Sequence, residues 1–68
     1  MRVYWPCASI MEDNTVKTIS TYDSTSDLDT AMEQRKVWES IYHSKMVAFW
    51  IDVYEYGSKV DRLAVFLR

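Results

Sequence analysis

Apolar and polar positions alternate with a period of two in four stretches of the chain and with a helical period in one. Val3 to Met11 reads as a strand, with Val3, Trp5, Cys7 and Ser9 on one side and Tyr4, Ala8 and Ile10 on the other. Pro6 donates nothing to a ladder, so this strand is expected at an edge or interrupted at that point. Glu12-Asp13-Asn14-Thr15 has turn chemistry, because Asp and Asn bond their own backbone and tolerate turn geometry. Val16 to Tyr22 then resumes as a Thr-rich strand, completing a hairpin. Ser26-Asp27-Leu28-Asp29 resembles a capping box, with Ser26 placed to accept from the Asp29 N–H. Beyond it Leu28, Ala31, Met32, Trp38 and Tyr42 share a face, with Ile41 at its margin and Arg35 inside the stripe, where it must snorkel. Glu33, Lys36 and Glu39 fall on the wet side. The helix is predicted from Asp27 to Tyr42.

After His43-Ser44-Lys45, Met46 to Tyr56 is the strongest strand signal; Gly57-Ser58 supplies a turn and Lys59 or Val60 to Leu67 the return strand. The order predicts a single α+β domain over residues 1–68, ββαββ, with a four-stranded antiparallel sheet and one amphipathic helix packed on one face. The parity of the second hairpin then decides what each face carries. A three- or five-residue loop joins Val47, Phe49, Ile51 and Val53 to Leu63, Val65 and Leu67 under the helix. A two-residue loop sets the first group beside Arg62, Ala64 and Phe66 instead. Seven aliphatic or aromatic residues at roughly 1.5–3 kcal/mol each for full burial favour the odd loop. That choice leaves Met46, Trp50, Tyr54, Tyr56 and Phe66 on the opposite face, with Asp52 and Arg62 among them and no second helix to cover them. Uncovered sheet faces are usually polar, and an exposed apolar patch usually marks an interaction site.

Composition adds limits. Sixty-eight residues allow one core, and such a chain buries only about 60% of the surface its unfolded form exposes. Cys7 is the only cysteine and His43 the only histidine, so neither an internal disulfide nor a structural zinc site is available for support. Oligomerisation or a well-packed core remains. The N-terminal residues lack the apolar stretch of a signal peptide, and the longest apolar run, Met46 to Ile51, is too short to span a bilayer; a cytoplasmic protein away from the membrane is expected. Residues 1–34 hold two bases against six acids, a net of −4, and residues 35–68 six bases against four acids, a net of +2. The overall −2 lacks the basic surplus from which nucleic-acid binders draw most of their affinity.

Candidate chemistry is sparse. His43 at the helix C-terminus complements the dipole there. Cys7 reads as a small buried hydrophobe, because nothing beside it in sequence activates a thiol. Asp23, Asp27 and Asp29 read as helix-start carboxylates; an EF-hand's glycine and terminal Glu are missing, and Gly57 alone makes no phosphate loop. No catalytic residue, metal site or cofactor is assigned, and an enzyme is not expected. The expectation is a non-enzymatic interaction module. It acts on a protein partner or a second copy through Met46, Trp50, Tyr54, Tyr56, Arg62 and Phe66, as an inhibitor or regulator of the kind found in phages and mobile elements. Two alternatives use the same aromatics. One is a single-strand nucleic-acid binder stacking bases on Trp50, Tyr54 and Phe66, with Arg62, Lys45 and Arg68 for phosphates; the other is a dimer that sequesters a small ligand.

Overall fold

Two tight turns and one capped helix divide the chain into the ββαββ order. The computed structural model describes residues 1–67. Its strands are β1 (Arg2–Glu12), β2 (Thr15–Ser20), β3 (Met46–Glu55) and β4 (Ser58–Leu67). The helix α1 (Leu28–Tyr42) is followed by a short 3₁₀ turn, His43–Lys45, which leads into β3. All pairings are antiparallel, in the order β2-β1-β3-β4. Both hairpins close through two residues of positive φ, Asp13 and Asn14 (50° and 63°) and Tyr56 and Gly57 (50° and 81°). This is the type I′ pattern, whose twist matches that of the strands.

β1 is an inner strand, not the edge that Pro6 suggested. Tyr4 N–H donates to Thr25 O (2.7 Å), Thr25 N–H donates back (2.9 Å), and Pro6 O accepts from Thr21 N–H (3.4 Å), so Tyr4 and Pro6 turn their polar backbone toward the β2 side. β2 stops at Ser20, opposite Cys7, and the donor that proline lacks falls just past that end. The N-cap also differs from expectation. Asp27, not Ser26, accepts from Asp29 N–H (3.2 Å), and Thr30 Oγ1 donates to its other oxygen (2.6 Å). A carboxylate satisfies the orphan amide and also meets the positive end of the helix dipole, which a serine hydroxyl does not.

The helix lies over β1 and β3. Ala31 and Trp38 bury against Ala8, Ile10, Met46, Phe49 and Ile51, with Trp38 edge-on to Phe49 at 5.9 Å. Phe49, Ile51 and Met46 have no exposed surface. The 15-residue helix is not long and apolar enough to cross a membrane.

Three bulges set the faces. The turn at Tyr56-Gly57 has two residues, so the expected odd loop is wrong, yet Val60 has no partner on β3 and its insertion restores the odd parity. Leu63 therefore opposes Ile51 on the helix side and Arg62 opposes Asp52 on the other. Val65 is a second unpaired residue and reverses the parity again: Phe66 opposes Phe49, and Leu67 opposes Ala48. Phe66 thus belongs to the helix side, where Arg35 lies over its ring at 4.5 Å; this is where the arginine inside the apolar stripe goes. On β3, Val47 is unpaired between Ser9–Ala48 and Ile10–Met46, which turns Met46 into the core beside Ile10. Met46 and Phe66 are corrected accordingly: neither lies on the uncovered face.

Val60 is itself half exposed, so its role is to occupy a position more than to pack. Deleting Val60 should move Leu63 off the core face and unfold the chain or cost several kcal/mol, since single buried aliphatic losses run to about 2–5 kcal/mol. Val60→Thr should shift a urea midpoint little. Equal midpoints for the deletion and the wild type would contradict this account of the bulge.

Candidate interaction surface

The face that α1 does not cover is built from alternate residues of the three strands that meet at β3. β1 contributes Trp5, Cys7 and Ser9, β3 contributes Ala48, Trp50, Asp52 and Tyr54, and β4 contributes Arg62 and Ala64. At its centre is a charge. Asp52 is only 6% exposed although no element among the described residues covers the face, because the side chains around it close over it. Its Oδ1 accepts from Arg62 Nε (2.9 Å), and Lys59 Nζ lies 3.4 Å from its Oδ2. Burial alone pushes this carboxyl upward, but the hydrogen bond from Arg62 and the charges of Arg62 and Lys59 outweigh it and hold Asp52 below the usual aspartate range. A buried carboxylate is tolerable on such terms, with partners that are themselves wet: the side chains of Arg62 and Lys59 are 55% and 45% exposed.

The aromatics pack around this centre. Trp5 is edge-on to Tyr54 with ring centroids 6.2 Å apart, and its Nε1 donates to Thr21 O (2.7 Å), tying the end of β2 to β1. Arg62 lies over Trp50 at 5.1 Å, a cation–π contact added to its bond with Asp52. Trp50 Nε1 is buried and has no hydrogen-bond partner among the described residues. Between Trp50 and the end of β4 runs an open groove with a volume of about 340 Å³, lined by Ser9, Ala48, Phe49, Trp50, Arg62, Ala64, Phe66 and Leu67. Leu67 at its rim is 85% exposed.

Cys7 lies beside the carboxylate, its Sγ 3.7 Å from Asp52 Oδ2. Burial first, and then the negative charge of Asp52, push the thiol up to about 11, so it stays protonated at neutral pH. Asp27 is held below the usual range by Thr30 and the Asp29 amide, as its capping role requires. His43, beyond the last helical turn, adopts φ 53° and donates its backbone N–H to Glu39 O.

Of the residues predicted for this surface, Trp50, Tyr54 and Arg62 come together on it. Met46 and Phe66 are on the helix side, for the reason given by the bulges at Val47 and Val65. Tyr56 lies at the tip of the turn, 90% exposed, rather than on the face, because the two-residue turn takes it out of the strand. Lys45 is not near Arg62; it pairs with Glu12 (3.8 Å), and Arg68 lies outside the described residues. Trp5 and Ser9 were not assigned to the surface from sequence. Alternation put them on one side of their own strand, but only the non-local pairing of β1 with β3 joins that side to Trp50 and Tyr54. No family model, curated protein or solved structure matches the chain.

Two outcomes follow from this chemistry. Because Asp52 releases its proton more readily folded than unfolded, its contribution is complete above the unfolded aspartate value of about 3.9 and is lost as pH falls through the lower folded value. Asp52→Asn should therefore cost roughly 1–2 kcal/mol at pH 7, since Asn still accepts from Arg62, and should flatten the loss of stability in acid. Parallel acid titrations of variant and wild type would contradict this. Cys7 should resist iodoacetamide at pH 8 in the folded protein and react once urea unfolds it; equal rates in both states would show the thiol is not held as described.

Proposed function

We propose that this chain is a small non-enzymatic binding module that takes a segment of a partner protein into the groove beside Trp50, and acts by occluding or modulating that partner. The observation that supports this most is the groove itself: apolar walls of Ala48, Ala64 and Leu67, a tryptophan floor and a single arginine at the rim, all on the face that the helix leaves open. Such a surface suits an apolar side chain flanked by a carboxylate or carbonyl, because Trp and Arg supply much of the energy at protein interfaces. The thiol of Cys7 is held protonated and the carboxylate of Asp52 is engaged by two cations, which leaves neither poised for nucleophilic or acid–base work. Base stacking is the weaker reading, since Arg62 occupies one side of the Trp50 ring and Phe66 faces the helix. A lone, buried, unpaired cysteine suits a reducing compartment, and the cytoplasm is proposed on that ground.

The test is capture from the lysate of the native host by the immobilised chain, compared with a Leu67→Glu variant at the exposed rim of the groove and a Trp50→Ser, Tyr54→Ser double variant. A protein retained by the wild type and lost from both variants, with helical circular dichroism unchanged, is the expected result. Retention of a nucleic-acid pool, or equal retention by all three, would overturn the proposal.

A further inference from the structure

Arg62 is fixed at the rim of the groove by two contacts. Its Nε donates to Asp52 Oδ1 (2.9 Å), and its guanidinium lies over the Trp50 ring at 5.1 Å. These leave the outer end of the group unused. Nη1 and Nη2 make no hydrogen bond among the described residues, and the side chain is more than half exposed. Together they form a planar fork whose parallel N–H groups match the two oxygens of a carboxylate. Charge favours the same ligand. Among the described strand residues, the charged side chains that the register places on the open face are Asp52, Lys59 and Arg62. One acid against two bases gives this face +1, in a chain whose total is −2.

The rest of the groove offers a ligand little polarity. Apart from Arg62, its lining side chains are apolar except for the Ser9 hydroxyl, because Trp50 Nε1 is buried. At about 340 Å³ it stands near the lower end of the roughly 300–1,000 Å³ over which ligand pockets run. A segment that entered and left again would lay its peptide groups along Ala48, Ala64 and Leu67, where Ser9 alone can bond them. A chain end lays down only its last side chain, and its carboxylate reaches the cation at the rim.

We propose that the groove binds the C-terminus of a partner chain, whose last side chain is large and apolar and whose terminal carboxylate takes the Nη1–Nη2 fork of Arg62. This rests on the groove being a protein-binding site and names the part of the partner that it holds. The side chain lies against Trp50, Ala64 and Leu67. Asp52 is then a positioning residue: it holds the guanidinium in place, while Lys59 offsets its charge and leaves the fork attractive to an anion.

The probes are N-acetylated hexapeptides of alternating glycine and serine that end in leucine or phenylalanine, each as the free acid and as the C-terminal amide. They are titrated into the isotope-labelled chain, with amide chemical shifts as the readout. The acids should give saturable shifts at Ala48, Trp50, Ala64 and Leu67. The amides should bind about tenfold more weakly, as the loss of a charge-assisted hydrogen bond implies. Ala64→Phe, at an exposed position that faces the groove, should abolish binding of both with circular dichroism unchanged. Arg62→Lys keeps a cation for Asp52 but removes the fork, so it should bring the acid toward the amide. An amidated peptide with an internal leucine–aspartate pair should bind no better than the amides. Isocaproate, which has leucine's side chain and a carboxylate but no peptide group for Ser9, should bind more weakly than the leucine acid. No saturable shift with either acid, equal binding of acid and amide, or an internal pair or isocaproate that matches the acid would each overturn the proposal. The groove reading fails separately, when the wild type captures no protein from lysate; a partner lost from Leu67→Glu, with acid and amide equal, leaves that reading standing without the terminus.

Discussion

Phe49 meets every other layer of the fold. It has no exposed surface, opposes Ala8 on β1 and Phe66 on β4, and receives the edge of Trp38 from α1 at 5.9 Å. An edge-to-face pair of this kind contributes about 0.5–1.5 kcal/mol beyond the area it buries. More important is what the contact constrains. With Phe49 fixed toward the helix, Ile51 follows it and Trp50, Asp52 and Tyr54 must face the other way. Both faces of the sheet are therefore defined by one side chain on the central strand.

β4 is held from both sides as a result. Toward the helix, Leu63 opposes Ile51 and Phe66 lies between Phe49 and the guanidinium of Arg35. On the other face, Arg62 and Lys59 reach back to Asp52. The two attachments differ in kind. The first is apolar burial, indifferent to pH. The second is a carboxylate kept charged by two exposed cations, which depends on pH and gives the uncovered face its polar centre. The bulge at Val60 lets both operate at once: without it, the two-residue turn would direct Leu63 to the open face and Arg62 into the core. An arginine there would be unpaired and buried, a cost of several kcal/mol that a domain of this size cannot bear.

The uncovered face is less apolar than alternation alone implied, and more organised. Two of the predicted hydrophobes left it for the core, and Trp5 joined it from β1. What remains is a buried charge ringed by aromatics, with the groove to one side where β4 ends. The strand that supplies Arg62 to the charge also walls the groove, through Ala64 and Leu67.

Elements were legible in the chain because they depend on local periodicity and local capping. Leu28 to Tyr42 was predicted to within one residue at the start, both turns were placed within one residue, and the α+β order and the four-stranded sheet followed from them. The pairing of Asp52 with Arg62 was reachable too, once the aliphatic positions were required to share a face. What local pattern could not supply was the bulges at Val47, Val60 and Val65. Nothing distinguishes these valines from their neighbours, and a bulge is chosen by the summed fit of two strands and a helix, not by the residue inserted. Because side chains alternate, each bulge reverses every assignment beyond it, which is why Met46 and Phe66 moved to the core while Trp50, Tyr54 and Arg62 stayed. The sequence by itself determined the elements, their order and the need to bury the Phe49 side of β3. The tertiary structure decided which side chains share the open face, since burying the aliphatic set on one side of a twisted sheet required three residues to fall out of register.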